Sequence, residues 1–311
     1  MLKRKVLKRI SILLCCLLII GIIYIFPSTK DTEKDVSFIK QEDTDVIYLI
    51  DNNDYVARVN VVLNNDDILE KTKEIISYLT VGSDNSDYIR KGFKPIIPKN
   101  TLIIDLSFSE GILKINFSKE LLNIDKKNEQ KMIEALVYSL TEIKSVNSIS
   151  IFVEGKILDK MPHSKISLPT TLDRNFGINK IYNLERLKDS TKTTIYYISK
   201  YDDFYYYVPV TKVNNEKSEK IEIIIKELTS SSLVETNLMS YLASSTELLN
   251  YTKTEESLVL NFNDQIFADT NSNEILEEVV YSINLSIDDN YDVKSVMYLV
   301  DDNIVDSYIL H

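Results

Sequence analysis

The stretch "LKINFSKELL" at residues 113–122 returns, lightly rewritten, as "LVLNFNDQIF" at residues 258–267. Both place Leu, a β-former and then Asn-Phe on the same beat: Leu113, Ile115, Asn116 and Phe117 against Leu258, Leu260, Asn261 and Phe262. Just upstream of the first phrase, Ile104, Leu106 and Phe108 alternate up to Glu110-Gly111, and Leu113, Ile115 and Phe117 alternate away from it. That pattern predicts a β-hairpin with the apolar residues of both strands on one face. Downstream, Met132, Ile133, Leu136, Val137 and Leu140 recur at helical spacing, and Ile149, Ile151 and Val153 alternate as a strand before Glu154-Gly155. Further back, Val46, Tyr48 and Ile50 form a strand, DNND turns the chain, and YVARVNVVL resumes it. Ile68, Leu69, Thr72, Ile75, Ile76 and Leu79 then make one helical stripe, with Asn65, Asp66 or Asp67 as its N-cap. The unit reads β-β-α-β-β-α-β.

The same order returns after residue 190. Ile195 and Tyr197 open a strand, FYYYVPV follows YDD, and Ile221, Ile224, Ile225 and Leu228 make a helix. Ile275, Leu276, Val279, Val280 and Ile283 repeat the spacing of Met132 to Leu140 at a constant offset of 143, and Val296, Tyr298 and Val300 close the copy. Shared spacing over this length points to a tandem duplication. The copies differ at the hairpin. Glu255-Glu256 stands where the first copy has Glu110-Gly111, and a pair of glutamates does not readily supply a positive φ. The fold class expected is α+β, with each copy a two-layer sandwich of strands covered by two helices. The domains expected are 45–158 and 191–311, joined by a connector over 159–190.

Residues 1–44 differ in kind. Lys3, Arg4, Lys5, Lys8 and Arg9 precede an apolar run from Ile10 to Phe26, which spans about 25 Å as a helix. No small-x-small cleavage site follows. The run predicts a retained transmembrane anchor with a cytoplasmic N-terminus, a polar stalk after it, and both copies on the extracytoplasmic side. Cys15 and Cys16 are the only cysteines, both inside the run, so the rest of the chain has no disulfide. A lipid-modified Cys is the alternative, but Leu14 fits poorly in the position before it. Residues 31–311 carry 30 Lys or Arg against 47 Asp or Glu, a net charge of −17. Such a surface repels nucleic acid and argues against it as a partner.

Chemistry is sparse. His163 and His311 are the only histidines, and neither has ligand-spaced neighbours, so neither a metal nor another cofactor is expected. A thiol nucleophile is absent outside the apolar run, and no G-x-S-x-G elbow occurs. Asp51, Asn53 and Asp54 resemble the start of a calcium loop, yet Val56 and Val62 stand where that loop needs Gly and Glu. Asp288-Asp289-Asn290 and Asp301-Asp302-Asn303 fit turns. The most suggestive surface is FYYYV. Alternation sends Tyr205 and Tyr207 to one face, where an exposed pair would bind a protein partner or a glycan, and Pro209 suggests an edge strand open to another subunit.

The segments "IPKNTLIIDLSFSEGILKINFSKEL" and "SISIFVEGKI", with the connector "LDRNFGIN" leading into "TTIYYI", resemble the GerM family of tandem GerMN domains, over roughly residues 45–311. The family's usual N-terminus is a lipoprotein signal, and this chain departs from it. The resemblance implies a ring-building-motif-like α/β fold. It also implies a non-enzymatic role in sporulation, through protein contacts that help assemble or position an envelope channel complex between mother cell and forespore. A homo-oligomer is a further partner state expected, apart from the resemblance. The other readings are an extracytoplasmic module binding a cell-wall fragment or lipid headgroup, and, more weakly, a carboxylate hydrolase of peptidoglycan.

Overall fold

The computed structural model describes residues 44–186, 188–230, 236–268 and 273–310. The anchor expected over about 10–26, Cys15, Cys16 and His311 lie outside them. Among the described residues no helix is long and apolar enough to cross a membrane.

The first copy contains β1 (Asp45–Asp51), β2 (Val56–Val61), α1 (Ile68–Leu79), β3 (Phe93–Lys94), β4 (Ile103–Ser109), β5 (Ile112–Phe117), α2 (Glu129–Leu140), β6 (Ser148–Val153) and β7 (Lys156–Ile157). The connector adds β8 (Ile181–Asn183). The second copy contains β9 (Thr191–Tyr201), β10 (Phe204–Asn214), α3 (Lys220–Leu228), β11 (Leu248–Lys253), β12 (Ser257–Phe262), α4 (Glu277–Asp288), β13 (Ser295–Val300) and β14 (Asn303–Ile309). Asp67 is the N-cap of α1, accepting from the Leu69 and Glu70 N–H groups.

The repeated phrase has a structural meaning. Leu113, Ile115, Phe117, Leu258, Leu260 and Phe262 are all buried, and each phrase runs parallel to the last inner strand of its copy, β5 to β6 and β12 to β13. The Asn holds the turn that follows that strand: Asn116 Oδ1 accepts the Gly155 N–H at 2.9 Å, and Asn261 Oδ1 accepts the Asp302 N–H at 3.1 Å. The polar residue after Phe returns to the neighbouring strand, Ser118 Oγ accepting from Leu102 N and Asn263 Oδ1 from Glu247 N. The hairpins differ as their turn residues require. Glu110 and Gly111 both adopt positive φ, whereas the second turn is built on the Thr254 hydroxyl, which accepts from the Glu256 and Ser257 N–H groups.

One sheet per copy is not what forms. In each copy the second set of strands makes its own mixed four-stranded sheet, β4-β5-β6-β7 and β11-β12-β13-β14. The opening hairpins of both copies merge into a single six-stranded sheet, ordered β3-β1-β2-β10-β8 with β9 on β10. Helix α2 touches β1 of the shared sheet and β6 of its own, and accordingly it is buried nearly all round, Glu129 and Glu134 included. A two-layer sandwich per copy is therefore too simple. The helices lie between sheets, one of which belongs to both copies.

The helix alignment also needs correction. Ser139 Oγ accepts the Tyr48 N–H at 2.8 Å, and Ser286 Oγ accepts the Tyr196 N–H at 2.9 Å, so α2 and α4 correspond at an offset of 147. The offset of 143 slips one helical turn and would place Ile275 and Leu276 inside a helix that starts at Glu277. A further correction concerns β4. A bulge between Ile103 and Asp105 turns Ile104 to solvent, so Ile103, Leu106 and Phe108 are the residues that pack inward.

The seam of the shared sheet is narrow, with β2 and β10 meeting only at Arg58 and Tyr207. Beyond that point Asn179 of the connector replaces a strand. Its Oδ1 accepts from Val56 N at 2.9 Å, and its Nδ2 donates to Val56 O and Pro209 O at 2.8 and 2.7 Å. Pro209 is thus interior, not the edge residue expected. Tyr196, its partner on β9, turns its own N–H away to Ser286, so the missing N–H of Pro209 faces the seam, where no ladder needs it. Buried Glu134 of α2 fixes the wedge by accepting the Asn179 N–H at 3.0 Å and pairing with Lys180 at 3.2 Å.

On the helix side of the sheet the copies meet at a pseudo-twofold. The Tyr48 and Tyr196 hydroxyls lie 3.0 Å apart, Tyr48 donates to Glu142 at 2.9 Å, and Tyr196 donates to Asp289 at 2.9 Å. Glu142 and Asp289 follow the ends of α2 and α4 at the same offset of 147. Connector Arg174 pairs with both carboxylates and stacks over the Tyr138 ring at 4.9 Å. Asp289, expected only to make a turn, has a side chain 2% exposed. Burial opposes ionisation of Glu142, but Arg174 and Arg58 outweigh it and hold the carboxyl below its usual range. Burial, then the neighbouring carboxylates, push Tyr48 and Tyr196 well up, so both stay protonated as donors.

Two outcomes follow at the junction. Asn179→Ala leaves the Val56 N–H buried without its acceptor and is expected to cost about 2 kcal/mol in denaturant unfolding with an unchanged m-value. Arg174→Met strands buried Asp289 and partly exposed Glu142, and is expected to cost about 2–4 kcal/mol at pH 7. The sign with pH is fixed by Glu142. Its folded value is depressed, so its contribution is present above the ordinary value of 4.5 and lost as pH falls through the folded value. Unfolding curves measured from pH 7 to pH 3 should show the gap between wild type and Arg174→Met closing in acid.

Candidate partner-binding groove

The Asp51 turn shows why the strands beside the groove hold their shape. Asp51 Oδ1 accepts the Asn53 and Tyr55 N–H groups at 2.9 and 2.8 Å, and Oδ2 accepts the Tyr206 hydroxyl at 2.8 Å. This acidic cluster is a turn tied to the second copy. At the other site of interest in the sequence, buried Glu129 accepts the backbone N–H groups of His163 and Ser164, which accounts for how His163 is held. Among the described residues no three His, Cys, Asp or Glu side chains gather as a metal site.

Alternation along β10 is as read from the sequence: Tyr206 and Val208 are buried, while Tyr205 is 43% exposed and Tyr207 is half-buried. Tyr205 and Tyr207 open into one groove of about 950 Å³ that crosses the seam between the copies. The first copy supplies Arg58, Tyr78, Tyr88 and Arg90, and the second supplies Phe204 to Tyr207 with Glu277, Glu278 and Tyr281. Tyr88 is 79% exposed. The aromatic rings are buttressed: Tyr205 meets Tyr241 at 6.2 Å, Tyr207 meets Tyr281 at 6.1 Å, and the Arg90 guanidinium lies 3.6 Å over the Phe204 ring.

Charges of both signs line the groove. Glu277 and Glu278 occupy the first turn of α4, where the helix dipole favours them, and Arg58 stands opposite Tyr207 on the seam. Burial, then Glu278, pushes the Tyr207 phenol up, so it remains a neutral donor. Hydrogen bonds with Tyr241 and Lys200 pull the exposed Tyr205 phenol down from its ordinary value. The arrangement offers flat apolar rings with polar tips beside fixed charges, the chemistry of a protein-recognition surface. Tyr88, Tyr281, Arg58 and Arg90 were not singled out in the sequence. Tyr88 sits in a 3-10 turn between elements, and Tyr281 reads as the outer face of a helix, so only the folded seam brings them to β10.

A family model described as Germane, sporulation and spore germination, matches residues 46–159 and 194–306. The chain is 30% identical over 277 residues to the spore germination protein GerM of Bacillus subtilis strain 168, across 86% of this chain and 75% of that one. A solved structure of the tandem GerMN domains of the sporulation protein GerM from Bacillus subtilis has a TM-score of 0.78 with it, at 27% identity, covering 85% of this chain and 93% of that one. With both copies of the domain matched by sequence and by fold, this chain belongs to the Germane family of sporulation and spore-germination proteins.

Proposed function

We propose that this protein is a non-enzymatic assembly component of the sporulation envelope, anchored by its N-terminal apolar run with both GerMN domains extracytoplasmic. It would help assemble or position the channel complex between mother cell and forespore through protein contacts. The observation that carries the reading is the aromatic groove across the seam, since neither copy alone contains it. Duplication followed by locking of the copies thus creates a surface that a single domain lacks. Thr44, where the described chain begins, lines this groove.

The test is site-specific photo-cross-linking of the full-length chain in sporulating cells. A benzophenone amino acid at position 205 is expected to capture a discrete membrane protein of the envelope complex, whereas the same group at position 182, exposed on β8, is not. Tyr88→Ala should cut the yield at 205 severalfold while leaving the thermal midpoint within about 1 °C, as befits an exposed residue. Equal capture from 182 would sink the proposal. Displacement of the cross-link by a soluble muropeptide would transfer the groove to the ligand-binding reading.

A further inference from the structure

The sheet β4-β5-β6-β7 ends on β4, whose outer side pairs with no strand among the described residues. Every second N–H and C=O of such an edge points outward and unpaired. On this side a groove of about 690 Å³ lies between β4 and α1. Its floor is apolar, from Ile76, Ile103 and Leu106, and Leu102 and Ile104 at its rim are 65% and 52% exposed. Asp67, Glu70 and Asp105 line it against a single cation, Lys73, which already pairs with Glu70 at 2.7 Å. The second copy provides an internal comparison. By strand register Leu106 corresponds to Tyr251, opposite Ile115 and Leu260 respectively. Tyr251 carries its ring beside Glu222 of α3, across the gap that Leu106 leaves open in the first copy.

Free edges in monomers are protected by charges and bulges, and β4 has both, at Asp105 and Ile104. Those features reject neutral or acidic strands. They admit a basic one, because the acids on the rim are then neutralised and not repelled. We propose that β4 of the first copy accepts an extended segment of a partner protein, rich in Lys or Arg and alternating with aliphatic side chains, as a fifth strand of this sheet. The aliphatic residues enter the α1–β4 groove and the cations meet Asp67, Glu70 and Asp105. This site is separate from the aromatic groove, and its test does not depend on that reading.

Hydrogen–deuterium exchange is measured on the full-length chain in detergent micelles with two probes, a nine-residue peptide alternating valine with lysine and its glutamate counterpart. The lysine peptide should slow exchange across residues 103–109 and not across β11, and raising salt to about 500 mM should weaken it about tenfold. Asp105→Lys, an exposed change, should weaken binding about tenfold without altering the thermal midpoint. Leu106→Tyr, which imports the residue of the second copy, should abolish it. The proposal is overturned if the glutamate peptide protects equally well, if protection appears only at β11 or β14, if millimolar lysine peptide protects nothing, or if Asp105→Lys binds as wild type does.

Discussion

The relation between the two copies turns on one guanidinium. Arg174 sits in the connector, belongs to neither repeat, and pairs with the equivalent carboxylate of each, Glu142 and Asp289. Removing two carboxylates from water is costly unless a cation and donors replace the lost hydration. Here Arg174 supplies the cation, and Tyr48 and Tyr196 supply the donors. The two phenol protons serve three contacts, two carboxylates and the hydroxyl pair, so the tyrosines alone never fill all three. The planar fork of Arg174 keeps both acids compensated whichever way those protons point, which a lysine at this position does not do.

Everything else at the junction follows from holding that centre in place. Asn179, five residues further on, stands in for a strand between Val56 and Pro209. Ile178 and Thr211 also bond, and β8 then runs parallel to β10. The connector is therefore structural from Asp173 onward, although it has no period that marks it as such. Its residues are chosen for hydrogen bonds in the seam, and such residues have no repeat to follow. The same logic explains the Ser139 and Ser286 hydroxyls. Each fills an outward N–H of a strand, on Tyr48 and Tyr196, from a helix laid against it.

Much of the fold was legible because each copy obeys simple periods. The order of the main strands and helices, a cap among Asn65, Asp66 and Asp67, and the different hairpin turns read from residue type and spacing, whereas β3, β7, β8 and β14 did not. The errors came where one local rule was insufficient. An offset of 143 was indistinguishable from 147 by hydrophobic spacing, since i and i+4 share a helix face; only the polar Ser139–Ser286 and Glu142–Asp289 matches separate them. Pro209 read as an edge because a proline cannot report that a side-chain amide will replace its neighbouring strand. Ile104 read as inward because a bulge shifts the alternation without a Gly or Pro to announce it. Asp289 read as a turn residue because its partner, Arg174, lies 115 residues away. The groove was half legible: Tyr205 and Tyr207 by alternation, the rest only once β2 and β10 met.

The copies have also diverged in what they leave open. Two repeats under the same packing constraints keep their buried residues alike, as Leu113, Ile115 and Phe117 match Leu258, Leu260 and Phe262. Their outer positions are free to differ. Leu106 has become Tyr251, and the α1 side of the first copy stays open while the second brings a ring against Glu222. On the shared sheet the aromatic residues of β10 meet Tyr78, Tyr88 and Arg90 of the first copy, a combination that exists only because the seam is held shut. A surface assembled from two copies inherits the rigidity of the bonds between them. The buried centre around Arg174 thus bears on the groove at a distance, by holding together the two copies that supply its walls.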